Sequence, residues 1–277
     1  MKNFLITGGT SGIGYNCIKY IAKDHNNRVL IVSSNLEKGK LAVKKLVDLT
    51  KNENINFLQC DLSSIRETNK LIVNNHIFKI DVLINNAGAI YFTKKFSKEN
   101  IEKTFALNHM GYFSITNFLL KKKLIKNGAK IINVSSGAHW GVDLDFNNLQ
   151  IKGKYNGWLA YKKSKLCNIL FTRKLSKLLI KKKISVNCLH PGFVKTDFGK
   201  NNIFIFKLIL GLLMKLSAIN VDEGTKTMIH LINDEKDQVT GEYFYKEKIS
   251  PSSVFSQDMN KAEKLWNESY RLLKMNI

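Results

Sequence analysis

The chain has 277 residues, 44% of them hydrophobic and 24% charged, with a formal net charge of +22 and only four arginines among its 44 basic residues. It is long enough to bury a full core, and its composition is that of a soluble globular protein. The four cysteines (Cys17, Cys60, Cys167, Cys188) are scattered without a C-x-x-C, and the six histidines lack ligand spacing, which argues against a disulfide framework or a bound metal and for a reducing cytosol.

Short β-rich runs alternate with longer helical patterns along the chain. Strands are predicted at 3–7, 28–33, 55–60, 81–85, 130–135, 185–189 and 242–245, most of them continuously apolar, as strands buried on both faces should be. Helices are predicted near 12–24, 36–51, 63–77, 98–126, 158–180, 221–233 and 260–273. This alternation predicts an α/β fold: a doubly wound, Rossmann-type parallel sheet of about seven strands with helices on both faces. Two prolines, and no linker rich in Pro, Gly or Ser, argue for a single domain over 1–277. Phe4-Leu5-Ile6 runs straight into a glycine motif, leaving no room for a signal peptide. The most apolar stretch, 203–214, is too short to span a bilayer and contains Lys207.

The first strand is followed by Thr7-Gly8-Gly9-Thr10-Ser11-Gly12-Ile13-Gly14, at the opening of the first helix. Glycines here permit a tight turn and let a pyrophosphate approach backbone N–H groups, aided by the helix N-terminus. The spacing is G-x-x-x-G-x-G. Asp61-Leu62 follows the third strand, where the carboxylate suits either an adenine amino group or a helix cap. Asn85-Asn86-Ala87-Gly88 ends the fourth strand, where small and amide residues can line a cofactor crevice or simply make a turn. Ile131-Ile132-Asn133-Val134-Ser135-Ser136 ends the fifth strand with two hydroxyls. Tyr161 and Lys165 lie four residues apart on a predicted helix and so share one face. A neighbouring ammonium should favour the phenolate and bring the tyrosine toward acid/base chemistry.

Taken in order, these segments resemble the short-chain dehydrogenase/reductase family over essentially the whole chain. The resemblance rests on Thr7 to Gly14, Asp61-Leu62, Asn85 to Gly88, Asn108, Ser136, Tyr161 to Lys165 and Pro191-Gly192. The retinol dehydrogenase-like branch is resembled most, through Val134-Ser135-Ser136-Gly137-Ala138-His139, Leu166-Cys167-Asn168-Ile169-Leu170-Phe171-Thr172, His190-Pro191-Gly192, Gly241-Glu242-Tyr243-Phe244 and Ala262-Glu263-Lys264-Leu265-Trp266. The resemblance implies a hydride-transfer site: Tyr161 as general acid/base, Lys165 lowering its pKa and holding the nicotinamide ribose, Ser136 orienting the carbonyl or alcohol. It further implies that Asn108 kinks a helix and positions a proton-relay water, and that Pro191, Gly192, Val194 and Thr196 belong to the segment holding the nicotinamide carboxamide.

The second strand ends in Val32-Ser33-Ser34-Asn35, with no acidic residue to bind a ribose 2′-hydroxyl. Ser11, Ser33, Ser34 and Lys38 favour a 2′-phosphate, hence NADP(H), with NAD(H) the alternative; Asn35 is a further cofactor-binding candidate there. Residues 198–219 fall where the family places its substrate lid, and Ile203, Phe204, Phe206, Leu208, Leu212 and Met214 point to a small lipophilic carbonyl or alcohol. A core helix, or weak contact with an anionic membrane surface, are the competing readings of that segment. The lysine excess reads as a solvated coat, because no nucleic-acid-binding motif accompanies it. Many members of the family the chain resembles pair two subunits through the helices matching 98–126 and 158–180, which leaves a homodimer open. The expectation is therefore a cytoplasmic NADP(H)-dependent oxidoreductase, with a catalytically inactive dinucleotide sensor or scaffold on the same fold as the alternative.

Overall fold

The computed structural model describes residues 1–151, 153–194, 220–234 and 239–276. From the N-terminus, β1 (Asn3–Thr7), α1 (Gly12–Ile21), β2 (Arg28–Ser33), α2 (Leu36–Thr50), β3 (Ile55–Gln59), α3 (Ile65–Asn74) and β4 (Ile80–Asn85) alternate strictly. A short helix α4 (Lys103–Phe105) runs through a π-helical turn (Ala106–Met110) into α5 (Gly111–Lys121), followed by β5 (Ile125–Val134) and the long α6 (Gly157–Leu179). Then come β6 (Ser185–His190), α7 (Val221–Asn233), β7 (Tyr243–Tyr245), β8 (Lys248–Ile249), α8 (Val254–Gln257) and α9 (Met259–Met275).

The strands form one sheet in the order β3-β2-β1-β4-β5-β6-β7-β8, parallel throughout except for β8, which pairs antiparallel with β7. Alternate residues of each strand feed opposite faces. Leu5, Leu30, Leu83 and Ile131 join the core beneath α3, α5, α6 and α9. Their neighbours Phe4, Ile6, Ile31, Ile84 and Ile132 join the core beneath α1, α2 and α7. Side chains buried on both faces explain why the strands read as unbroken apolar runs.

Two expectations are corrected by the structure. The eighth strand was not expected: it is two residues long, and its hairpin turns through Lys246 and Glu247 at φ 48° and 63° rather than through an Asn-Gly pair. The long helix expected over 98–126 is shorter and broken. Glu102 caps its start by accepting from the N–H groups of Thr104 and Phe105, and Lys123, at φ 54°, turns the chain out toward β5. The aromatic face of α5 and α6 is covered by α9 of the same chain: Trp266 packs on Phe113 and Phe171 at centroid distances of 5.0 and 6.1 Å. Ser269 also meets His109 at 2.7 Å, and Glu263 pairs with Lys174.

Trp266→Ala should lower unfolding free energy by about 2–4 kcal/mol, because the cavity opens against two aromatic rings. Urea denaturation followed by circular dichroism measures it, and an unchanged midpoint would show that α9 is not packed as described.

Candidate active site

The chain leaves β1 toward β2 on one side and later returns to β4 on the other, so the carboxyl ends of β1 and β4 open a crevice at the switch point of the sheet. The two loops bordering it are locked together. Thr7 Oγ1 accepts from the N–H groups of Asn86 (2.9 Å) and Ala87 (3.1 Å), and Asn86 Nδ2 donates to the carbonyls of Thr7 (3.0 Å) and Gly8 (2.9 Å). Gly8 adopts φ +69°, and a Cβ there would lie 2.7 Å from Ala87 Cα. A side chain on Gly14 would stand 2.6 Å from both the Gly8 carbonyl and Asn86. Gly12 begins α1 at φ +58°, and the preceding Ser11 does not cap the helix with its side chain. The first-turn N–H groups of α1 are thus free of a side-chain cap at the crevice, where a helix start attracts phosphate.

The second half of the site hangs on the end of β5. The Val134 carbonyl accepts from Lys165 Nζ (2.9 Å) and Asn168 Nδ2 (3.2 Å), and Ser135 Oγ donates to the Lys165 carbonyl (2.8 Å). α6 is thereby pinned to the strand, and Tyr161, one turn before Lys165, is held 8% exposed with its hydroxyl hydrogen-bonded to Ser136. Lys165 Nζ lies 5.7 Å from the Tyr161 ring centroid. Ser136 opens a 3₁₀ turn (Gly137–His139), its Oγ accepting from Ala138 N–H at 3.1 Å. Gly88 closes the gap between the two halves: a Cβ there would meet Asn108 Oδ1 at 3.2 Å and Lys165 Nζ at 3.6 Å.

Asn108 occupies the π-helical turn, consistent with the expected kink, but its side chain is fully engaged in protein contacts. Its Oδ1 accepts from Ala89 N–H (2.9 Å), and its Nδ2 donates to the Ala89 carbonyl (2.9 Å) and Ser164 Oγ (3.0 Å). It clamps the loop after β4 to α6, and Ser164 passes the clamp on by donating to the Tyr161 carbonyl at 2.7 Å.

Burial governs the ionisation of the pair. It pushes the Tyr161 phenol up to about 12, with the Ser136 bond pulling the other way, and it draws the Lys165 ammonium down to about 7. The expected lowering of the phenol by its neighbouring ammonium is not what governs it here: burial raises it, and the group that lowers it is the Ser136 hydroxyl. The pair rests as a neutral phenol, a proton donor, beside an amine whose charged form burial disfavours.

The remaining expected residues divide. Asn85 does not line the crevice: it is fully buried and donates to Asn133 Oδ1 (2.8 Å) and Thr116 Oγ1 (3.0 Å). Leu62 is likewise buried in the core, against Gly111. Asp61 sits beside the start of α3, where Ser63 donates to it from backbone and side chain and Lys103 pairs with it at 3.0 Å. Burial raises its pKa, but those bonds outweigh burial and hold the carboxyl below its usual range. Gly9 packs beneath Ile18, and Thr10 and Ile13 are half-buried around the glycine turn. Ser34 and Lys38 are exposed beside half-buried Ser33, and Asn35 caps α2 by accepting from Lys38 N–H at 2.8 Å. Pro191, Gly192 and Val194 follow β6, with Val194 lodged against Gly224 of α7. Thr196 and the lid segment 198–219 lie outside the described residues.

Sequence reasoning missed the residues that hold this cluster in place. Tyr112 places its ring 5.9 Å from Lys165 Nζ, and Trp158 stacks on Tyr161 at 5.7 Å. His190 lies where a side chain on Gly137 would meet it at 3.0 Å. Trp158 carried a usable signal, three residues before Tyr161 and one helical turn away, and His190 stood in the His190-Pro191-Gly192 run named above.

The sequence model of the short chain dehydrogenase family matches residues 2–203. The chain belongs to that family. It is 34% identical to human polyprenol dehydrogenase over 96% of this chain and 83% of that protein. It is 32% identical to human retinol dehydrogenase 13 over 98% of this chain and 84% of the relative. An uncharacterised protein of Mycobacterium paratuberculosis has the same fold, with a TM-score of 0.79 at 24% identity over 99% and 94% of the two chains. As a member of this family, of the retinol dehydrogenase-like kind, the chain is an oxidoreductase acting between CH–OH and C=O with a nicotinamide cofactor. The residues present fit such a dinucleotide, because the glycine turn that side chains would fill and the uncapped start of α1 sit together at the switch-point crevice.

Gly8→Ala should cost about 1–3 kcal/mol of stability through its left-handed backbone, and should weaken NADPH binding because the turn must shift. Urea melts with fluorescence titration of NADPH test both. Wild-type affinity in the variant would show that the turn does not cradle the cofactor.

Proposed function

We propose that the protein catalyses NADP(H)-dependent reduction of a lipophilic aldehyde or ketone, and the reverse oxidation, with Tyr161 as general acid/base. The observation that carries this reading is the convergence of a neutral buried phenol, the Ser136 hydroxyl and Lys165 beside the glycine-lined crevice. When bound, the nicotinamide supplies or accepts the hydride at the substrate carbon. In reduction, negative charge grows on the carbonyl oxygen. Ser136 donates a hydrogen bond to it and Tyr161 transfers its phenolic proton, ending as a phenolate next to Lys165. The amine then has reason to stay charged, since it faces an anion. In oxidation the same phenolate takes the alcohol proton. Asn108, through Ala89 and Ser164, holds the distances.

The cofactor preference rests on the end of β2. Ser33, Ser34 and Lys38 offer hydroxyls and a cation with no carboxylate among them, which suits a 2′-phosphate. The apolar substrate class rests on half-exposed aromatic side chains adjoining site residues: Trp158 on Tyr161, Trp140 after the Ser136 turn and Phe193 after Gly192. Among the described residues no helix is long and apolar enough to cross a membrane. The inactive-sensor alternative is disfavoured because Ser136, Tyr161 and Lys165 are all present and assembled.

Tyr161→Phe should lower turnover of an aldehyde such as decanal by roughly 10²–10⁴-fold while NADPH affinity stays within about twofold; turnover near wild type would refute the assignment. In a separate comparison, NADPH should outperform NADH at equal low concentration, and Ser34→Asp should reverse that order by repelling the 2′-phosphate. A wild-type preference for NADH would overturn the cofactor reading.

A further inference from the structure

The Ser136 turn is held from a direction the catalytic reading does not use. The His139 ring is buried, wedged against Trp140 at 5.3 Å and edge-on to Tyr243 at 5.0 Å. Its Nδ1 lies 2.7 Å from the Ser136 carbonyl oxygen, and its Nε2 lies 3.1 Å from the backbone N–H of Ser253. Neither partner can exchange roles. A carbonyl only accepts, so Nδ1 must carry a proton; an amide N–H only donates, so Nε2 must be bare. The geometry therefore fixes one neutral tautomer and leaves no arrangement for the imidazolium.

The far end of this strap is itself anchored. Ser252, next to Ser253, accepts from Arg173 Nη2 of α6 at 3.3 Å and its hydroxyl pairs with that of Ser256 at 2.8 Å, while the Ser256 hydroxyl donates to the Ser253 carbonyl. His139 thus ties the residue that bonds Tyr161 to a segment more than a hundred positions later in the chain, which is in turn fastened to the helix carrying Tyr161. Without the strap, the Ser136 carbonyl keeps only the long 3.3 Å bond from the His139 backbone N–H.

We infer that His139 is a positioning residue for the reaction: its fixed tautomer sets the Ser136 turn against the segment 250–257, so that the Ser136 hydroxyl meets the reacting oxygen in register with Tyr161. This rests on the catalytic reading of Ser136 and Tyr161 given above.

Two conservative variants separate the two bonds. His139→Asn can keep a donor near the Nδ1 position toward Ser136 but cannot reach Ser253; His139→Gln can reach Ser253 but places no donor at Nδ1; His139→Phe keeps the aromatic packing and loses both bonds. With NADPH and decanal, kcat should fall roughly 10–100-fold in His139→Phe and His139→Gln, with KM and NADPH affinity within about twofold, and His139→Asn should recover most of the loss. Hydrogen exchange of the free protein gives a readout independent of turnover. Peptides covering 135–141 and 250–257 should both exchange about tenfold faster in His139→Phe, and only the second should do so in His139→Asn. Unchanged exchange of 135–141 in His139→Phe, or equal kcat in the Asn and Gln variants, would overturn the positioning role. Tyr161→Phe assayed alongside keeps the two readings apart: if it abolishes turnover while His139→Phe does not, only the strap falls; if Tyr161→Phe itself turns over normally, the catalytic reading falls.

Discussion

The site depends on one carbonyl oxygen. At the end of β5 the Val134 carbonyl has no further strand residue to pair with, and it takes donors from Lys165 and Asn168 on successive turns of α6. These bonds fix the rotation and height of a helix whose other side is sealed into the core by Leu166, Leu170 and Phe171. Tyr161 and Lys165 face the sheet edge because the helix can sit only one way. The cost of burying an amine is met by that carbonyl, and the same burial leaves the amine easily stripped of its proton.

The crevice half of the site follows a different physics. Its shape comes from glycines that let two loops touch, and from Thr7 and Asn86, whose polar atoms are spent on backbone groups of the opposite loop. The result is a rigid turn whose accessible groups are backbone N–H at a helix start. An anionic ligand meets prearranged dipoles there and no side chain needs to move.

The C-terminal segment joins these halves to the rest of the molecule. α9 closes the aromatic face of α5 and α6 and bonds His109 beside the π-helical turn, while the stretch before it reaches the Ser136 turn through His139. Two buried histidines therefore connect the same late segment to the neighbourhoods of Asn108 and Ser136. His109 is held neutral by burial, its pKa drawn down to about 3, so it acts as a hydrogen-bonding aromatic within the core.

Patterns local to the chain were legible without a structure: the order of strands and helices, written in apolar runs, and the glycine turn, whose conformation other residues resist. The pairing of Tyr161 with Lys165 was legible too, because four residues make one helical turn. What a local pattern cannot contain is direction across the fold. Asn85 and Asn86 are adjacent and chemically alike, yet the pleat sends the first into a buried amide network and leaves the second to clamp the glycine loop. The short return strand and the broken helix after Glu102 carry too few residues for a period to show. The ionisation of Tyr161 was decided by desolvation, a property of everything packed around it and not of its neighbour four residues on. The reach of Ser253 to His139 joins residues 114 positions apart. Sequence alone determined which chemical groups the protein owns and the rhythm that stacks them into a sheet; tertiary packing decided which of those groups meet, because contact and burial depend on distance in space rather than along the chain.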